Sequence, residues 1–442
     1  MRVTRIKTNK FKSNEIAVFL AVPLKRETIT KNALLPAVLK RGSQTYKNQL
    51  VIGKELENMY GASFNAGVEK TGSYSILKFY IESLSDDFIT ENENISEKSI
   101  KLLFDIIFNP YIKNDAFDEG YVTQEKKKLE EVIKSRADDK KTYAVNRCIE
   151  EMFKNDPYGL YKFGYIEDLK EITAKSLYDY YLQMLKECKV YIVINGKEAD
   201  KIIIPAINSK LKNLKELNEI IYTDEKEKTN KEEKSKSIIC EKLNKNDANF
   251  KSDNSHDIST NIKTSDEEKI VKEELDVTQG KLMIGLNVLS DDKFATSMYN
   301  IILGGSANSK LFQNVREKAG LAYFASSSYI RRKNAILIKT GIELKNYEKA
   351  VNIIKAQLED IKNGNITDDE IKSGKQLIIS SLKMIKESQE ETIAFNFDQD
   401  LFDENLSIEE YIEKLENVTK ERIIEVAKNV KVNTIYYLKN KE

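Results

Sequence analysis

The sequence predicts an α+β chain built from two tandem, homologous halves, and three observations carry this reading. Segments with the two-residue period of strands lie beside one another like hairpins and beside helices of differing length, which suits α+β better than a strict βαβ repeat. One helix–strand pair occurs twice. Ile172-Thr173 opens an amphipathic helix through Leu177, Tyr181 and Leu185, followed by the strand Val190-Tyr-Ile-Val-Ile; Val418-Thr419 opens another through Ile423, Val426 and Val430, followed by Thr434-Ile-Tyr-Tyr-Leu. Thr173 and Thr419 stand 246 positions apart, which leaves each copy roughly 200 residues, an ordinary domain size, once the stretch between them is removed. That stretch, Asp224 to Glu274, is the third observation: it has charge runs such as Asp224-Glu-Lys-Glu-Lys, no Gly or Pro and few large apolar residues. It buries too little apolar surface to offset its ordering entropy and reads as a solvated linker. The expected organisation is residues 1–222, a charged linker 223–276, and residues 277–442.

The elements follow in order. Met1 to Lys12 is polar and strand-like, and Glu15 to Leu24 alternates as a strand does. Asn32 to Leu39 is apolar and helix-like, with Pro36 inside it. Ser73 to Ser83 reads as a strand, with Ile76, Lys78, Tyr80 and Glu82 facing away from their neighbours. Lys98 to Phe108 and Ala116 to Ser135 have helical periodicity. In the second half Lys281 to Leu289 and Ala335 to Leu344 read as strands. Gly304, Gly305 and Ser306 allow a tight turn into a helix whose apolar face is Leu311, Phe312 and Val315, and Gly320 stops that helix before a strand at Leu321. Thr367 with Glu370, and Ser407 with Glu410, are capping boxes that open two further helices.

Composition excludes several classes. Lys+Arg and Asp+Glu balance at 71 each, so no global field draws the chain to nucleic acid or to an anionic membrane. No run of about 18 apolar residues occurs, so no span of a membrane is expected. The polar N-terminus lacks the apolar core of a signal peptide. Cys148, Cys188 and Cys240 are odd in number and far apart, with no CxxC, which fits a reducing cytoplasm and excludes a zinc ribbon. The only histidine, His256, sits in the charged stretch. No Ser–His–Asp or Cys–His set can therefore form inside the halves, and neither a Gly-x-Ser-x-Gly elbow nor a P-loop is present.

The sharpest local signal is Leu303-Gly-Gly-Ser-Ala-Asn-Ser-Lys-Leu-Phe-Gln-Asn-Val-Arg-Glu-Lys-Ala-Gly-Leu-Ala-Tyr323. It resembles the second-domain signature of the pitrilysin/insulinase (inverzincin) family of zinc peptidases. That resemblance implies two α/β-sandwich halves of the mitochondrial processing peptidase/LuxS-like metallohydrolase fold, closing as a clamshell. It also implies that Arg316 and Tyr323 contact the backbone of a bound peptide. Active members carry His-x-x-Glu-His on a helix, the two histidines holding zinc and the Glu activating water. The corresponding stretch is Ala33-Leu-Leu-Pro-Ala37-Val-Leu-Lys-Arg-Gly42-Ser43, with the register fixed by its Leu-Lys-Arg-Gly-Ser tail. By that register Ala33 and Ala37 stand where the metal ligands would be and Pro36 where the general base would be. Glu131, in Gln124-Glu-Lys-Lys-Lys-Leu-Glu-Glu131, falls where the third ligand would be, and Gln124 where a supporting Glu would be. Met59-Tyr-Gly-Ala-Ser-Phe-Asn65-Ala66-Gly67 resembles the segment whose edge strand pairs with substrate, making Asn65 and Ala66 peptide-binding candidates.

The expectation is a pseudopeptidase with no catalytic residue, metal or cofactor. The resemblance is closest to a bacterial two-gene branch, some of whose members are associated with 5-aminopentanol modification of elongation factor P. It implies a cytoplasmic, non-catalytic subunit that forms a heterodimer with an active zinc peptidase paralogue and grips an extended peptide. The alternative is a stand-alone peptide-binding or scaffold protein in that modification pathway.

Overall fold

A computed structural model of the chain describes residues 1–90, 93–197 and 268–441. His256, Cys240 and most of the expected linker lie outside the described residues. The chain divides into two compact units: Met1–Lys134 with Leu160–Ala248 and Ile385–Asn405, and Ser135–Gly159 with Asn249–Met384 and Leu406–Glu442. The boundaries expected from sequence run straight past this exchange of short segments.

The first unit holds strands β1 (Arg2–Lys7), β2 (Ser13–Pro23), β3 (Ser63–Thr71), β4 (Tyr74–Leu84), the two-residue hairpin β5 (Ile112–Lys113) and β6 (Ala116–Phe117), and β7 (Lys189–Gly196). Five of them form a sheet in the order β1-β7-β2-β4-β3, with β1 parallel to β7 and the other pairs antiparallel. The second unit holds β8 (Lys269–Glu274), β9 (Gly280–Val288), β10 (Ala322–Ile330), β11 (Ala335–Ile342) and β12 (Val430–Lys439). Read from β8, its order is β8-β12-β9-β11-β10, again with the first pair parallel. The two sheets share one topology, as the repeated helix–strand pair anticipates.

One expectation is corrected here. The end of the charged stretch, placed in the linker from sequence, is strand β8. Its burial alternates residue by residue, and it pairs along Thr434–Lys439 of β12. Lys269, Lys272 and the glutamates line a strand that pairs only with β12 among the described residues, a common use of charge on sheet edges. Two smaller differences concern ends. The helix expected over Ala116–Ser135 begins at Glu119, because Ala116 and Phe117 pair in the small hairpin. Gly304 and Gly305 close the preceding helix, Lys293–Asn300, through a π-helical turn at Ile301–Gly305; they do not open the next one.

Each sheet is covered on both faces. On the inner face of the first, Val18, Leu20, Leu77, Phe79 and Ile192 pack with Leu34, Leu35 and Leu39 of the helix Ile29–Leu39 and with Leu103 and Ile107 of Ile95–Phe108. On the outer face Ala17, Phe19, Tyr191 and Val193 meet Ile393, Phe397 and Leu401, which recur every four residues along the helix Gln389–Leu401. Phe397 stacks on Phe19 at 3.9 Å between ring centroids. Both ends of that helix are pinned. Gln389 donates to the carbonyls of Ser13 (3.0 Å) and Asn195 (2.9 Å), and Asp400 accepts from Thr4 and pairs with Arg2 at 2.9 Å. In the second unit the helix Lys140–Met152 plays the same part, burying Ala144 and Cys148 against Met283, Leu337, Tyr436 and Leu438.

One buried acid strains the first of these outer faces. Glu15 of β2 stands opposite Glu82 of β4 in register and near Glu390 of the covering helix. Burial, then those two carboxylates, push its pKa from 4.5 up to about 7. The folded chain thus holds this proton more tightly than the unfolded chain. The associated stability is complete below about pH 4.5 and is lost as the pH rises through 7. Glu15→Gln is expected to raise the thermal midpoint by about 2–4 °C at pH 8 and to leave it nearly unchanged at pH 4. Melting curves of the two proteins across that range test this; an equal shift at both pH values would contradict it.

Candidate functional site

The helix Ile29–Leu39 is built on buried Leu34, Leu35 and Leu39, with Pro36 also buried in its interior. A proline there withholds an N–H from the carbonyl of Asn32 and crowds it. The helix continues all the same, Pro36 accepting from the Lys40 amide at 3.1 Å. Burial of its leucines and a hydrogen bond from the Tyr180 hydroxyl to Asn32 hold it in place. The turn after it is tight: a side chain at Gly42 would meet the Lys47 carbonyl oxygen at 2.7 Å. Ser43 is fully buried and donates to Asp105.

Ala33 and Ala37 lie four residues apart on one half-exposed face of this helix. The helix Glu119–Lys134 packs beside it. Arg41 joins the two, pairing with buried Glu125 at 3.0 Å and donating to Gln124. Glu131 sits on that second helix and is exposed. Zinc does not fit this donor set. Two methyl groups offer no lone pair, a single exposed carboxylate is no coordination shell, and a proline carries neither a base nor an N–H. Among the described residues there is no histidine, and no group of three or more His, Cys, Asp or Glu is placed to hold a metal.

The helix Ile29–Leu39 also packs beside β3, the edge strand of its sheet. Asn65 and Ala66 lie in the middle of β3, in register with Tyr80 and Phe79 of β4. Asn65 is exposed, and its Oδ1 accepts the Ala66 amide at 2.9 Å. That amide is thus satisfied locally, with the far side of β3 unpaired by any strand of the sheet.

Arg316 and Tyr323 belong to the second unit. Leu311 and Val315 are buried, and the segment Phe312–Lys318 winds as a π-helix. Arg316 lies over the Phe312 ring, 4.6 Å from its centroid, with Glu317 at 3.6 Å. Gly320 adopts φ +60° at the exit, where other residues are strained. Tyr323 follows in β10, the edge strand of the second sheet, at a register shift between Ala322 and Phe324. A bulge of this kind re-aims a side chain, and Tyr323 is 57% exposed. The sequence motif located this residue but did not disclose the bulge. The structure therefore brings Ala33, Ala37, Glu131, Asn65 and Ala66 into one unit, and Arg316 and Tyr323 into the other.

A two-half α/β fold of this topology, with no metal-binding group among its described residues, fits an inactive relative of a metallopeptidase. The comparisons agree. Residues 171–378 match the family model described as the peptidase M16 inactive domain. "Probable inactive metalloprotease YmfF" of Bacillus subtilis is 32% identical over 99% of this chain and 95% of its own length. A conserved protein from Enterococcus faecalis superposes with a TM-score of 0.81 at 28% identity, covering 99% of this chain and 96% of that one. A peptidase M16 inactive domain from Pseudomonas fluorescens shares the fold, with a TM-score of 0.72 at 15% identity over 99% and 95% of the two chains. The chain belongs to the M16 (pitrilysin/insulinase) peptidase family, as an inactive member.

The geometry makes a restoration test. With Ala33→His and Ala37→His together, two imidazoles share one helix face beside the helix that carries Glu131. Zinc retained after gel filtration is expected to rise from background to about one equivalent. No gain in a variant that keeps its helical circular dichroism would show that Glu131 does not stand where it can complete a metal shell with these two positions.

Proposed function

We propose that this chain is the non-catalytic subunit of a two-chain cytoplasmic peptidase. An active zinc peptidase paralogue would hydrolyse the peptide, and this chain would hold it in an extended form. The observation that carries the proposal is the contrast between two regions of one unit. The helix Ile29–Leu39 carries none of the groups a zinc centre needs, while among the described residues no strand pairs with the outer edge of β3 beside it. A peptide added to a sheet edge is held by backbone hydrogen bonds and needs no catalytic residue. In the second unit, taken by itself, the exposed Tyr323 on β10 and the Arg316 guanidinium are separate peptide-contact candidates. Free Cys148, buried, and Cys188, half-buried, suit a reducing compartment. Among the described residues no helix is long and apolar enough to cross a membrane.

Co-purification from the source cell under mild salt tests this. The expected result is a complex with a zinc peptidase paralogue whose chelator-sensitive cleavage falls about tenfold or more when this chain is omitted. A chain recovered alone, with the paralogue fully active without it, would overturn the proposal. A monomeric chain that by itself shields a peptide from proteolysis would instead favour the stand-alone binding role.

A further inference from the structure

On the outer face of the second sheet three lysines gather. Lys281 of β9 and Lys339 of β11 share the face that carries Met283 and Leu337, by strand alternation and register. Lys141 reaches them from the first turn of the helix Lys140–Met152, its ammonium 4.4 Å from the Phe324 ring centroid. Phe324 lies over Gly341 and next to Tyr323 on the edge strand β10. Among the described residues none of the three lysines takes part in an ion pair; Lys281 has only a long bond, 3.4 Å, to the Gln279 side-chain oxygen. Burial, then the charge of Lys141, lowers the pKa of both Lys281 and Lys339, with the Asp139 carboxylate opposing this in part at Lys281. Like charges sharing a partly desolvated surface oppose folding unless an anion joins them.

Space for an anion is present. A cleft of about 480 Å³ opens beside Lys140, Lys141 and Lys281, bounded also by Asp138, which is exposed, and by Asp139 and Asp276. Asp139 is engaged elsewhere: it caps the helix, accepting from the amides of Lys141 (3.0 Å) and Thr142 (3.1 Å). Asp276 is exposed. The start of the 13-residue helix adds its own partial positive charge. On the edge side Lys339 is in register with Ser326 of β10. A strand added to β10 would run about 4.8 Å from Ser326 and roughly 10 Å from Lys339, a span that two long side chains reaching towards each other can bridge.

We propose that Lys141, Lys281 and Lys339 form an oxyanion site that receives the carboxylates of an acidic peptide extended along β10. The site gives the bound peptide its chemical class, and it rests on the edge-strand reading made above for β3, carried over to the equivalent edge strand β10 of the second sheet. The test uses the full chain and Lys281→Met/Lys339→Met, with three probes: an unstructured peptide carrying Glu at alternate positions, its Gln counterpart, and inorganic phosphate. The variant is expected to fold with a thermal midpoint at or above that of the wild type, since it loses two unpaired charges. The wild type is expected to bind the Glu peptide about tenfold or more tightly than the Gln peptide, with the preference falling as salt rises and vanishing in the variant. Equal binding of both peptides by the wild type would overturn the acidic-peptide site and leave the edge-strand reading standing. Binding of neither peptide, with phosphate raising the midpoint of the wild type alone, would sink the edge-strand reading and keep an oxyanion site for a free anion. Binding of neither peptide, with no effect of phosphate, would overturn both.

Discussion

Each sheet is apolar on both faces, and that constraint orders everything else. A strand with one dry face alternates in burial, but nine consecutive residues of β2, Asn14 to Val22, are buried. Such a strand needs a cover above and below. The lower cover comes from neighbouring helices in the chain. The upper cover comes from a helix distant in sequence: Gln389–Leu401 for the first sheet, with Phe397 flat on Phe19, and Lys140–Met152 for the second. With both faces occupied, only the edges of the sheets remain for another strand. Two of those edges are β3 and β10.

The same constraint separates what was legible in the sequence from what was not. Strong local chemistry was legible. The strands β2, β4, β7, β9, β11 and β12 follow from apolar alternation or dense β-branched runs. Ser407 and Glu410 form the reciprocal cap their spacing predicts, and Thr367 and Glu370 exchange the same pair of bonds. Cys148 is buried, as a lone cysteine usually is. The exchange of covering helices was not legible. Periodicity shows that Ile393, Phe397 and Leu401 form one face, but not which sheet that face meets. Strand β8 was hidden because Ile270 and Val271 stand among lysines and glutamates, and only pairing with β12 makes them a strand. The bulge at Tyr323 and the gathering of Lys141, Lys281 and Lys339 arise from register between distant segments, which no local pattern records.

At the helix Ile29–Leu39 the sequence is decisive by itself, because the chemistry of its side chains does not depend on where they point. An alanine has no donor wherever it points. What the structure adds is the packing around it: the helix is continuous through Pro36, Gly42 makes its close turn, Ser43 reaches Asp105, and β3 lies alongside. Packing needs the leucines of this helix, and nothing in that packing calls for a histidine. Charges in strained places, Glu15 on one sheet and the lysines on the other, are the features that packing alone does not require.

The most direct measurement is the zinc content of the purified wild-type chain, by mass spectrometry after exposure to zinc and removal of the excess. Zinc is expected well below one equivalent, under about a tenth, with no cleavage of peptides that a chelator can suppress. One equivalent held by the wild type and lost on Glu131→Gln would mean that a metal centre survives beside Ala33 and Ala37, and would contradict the account.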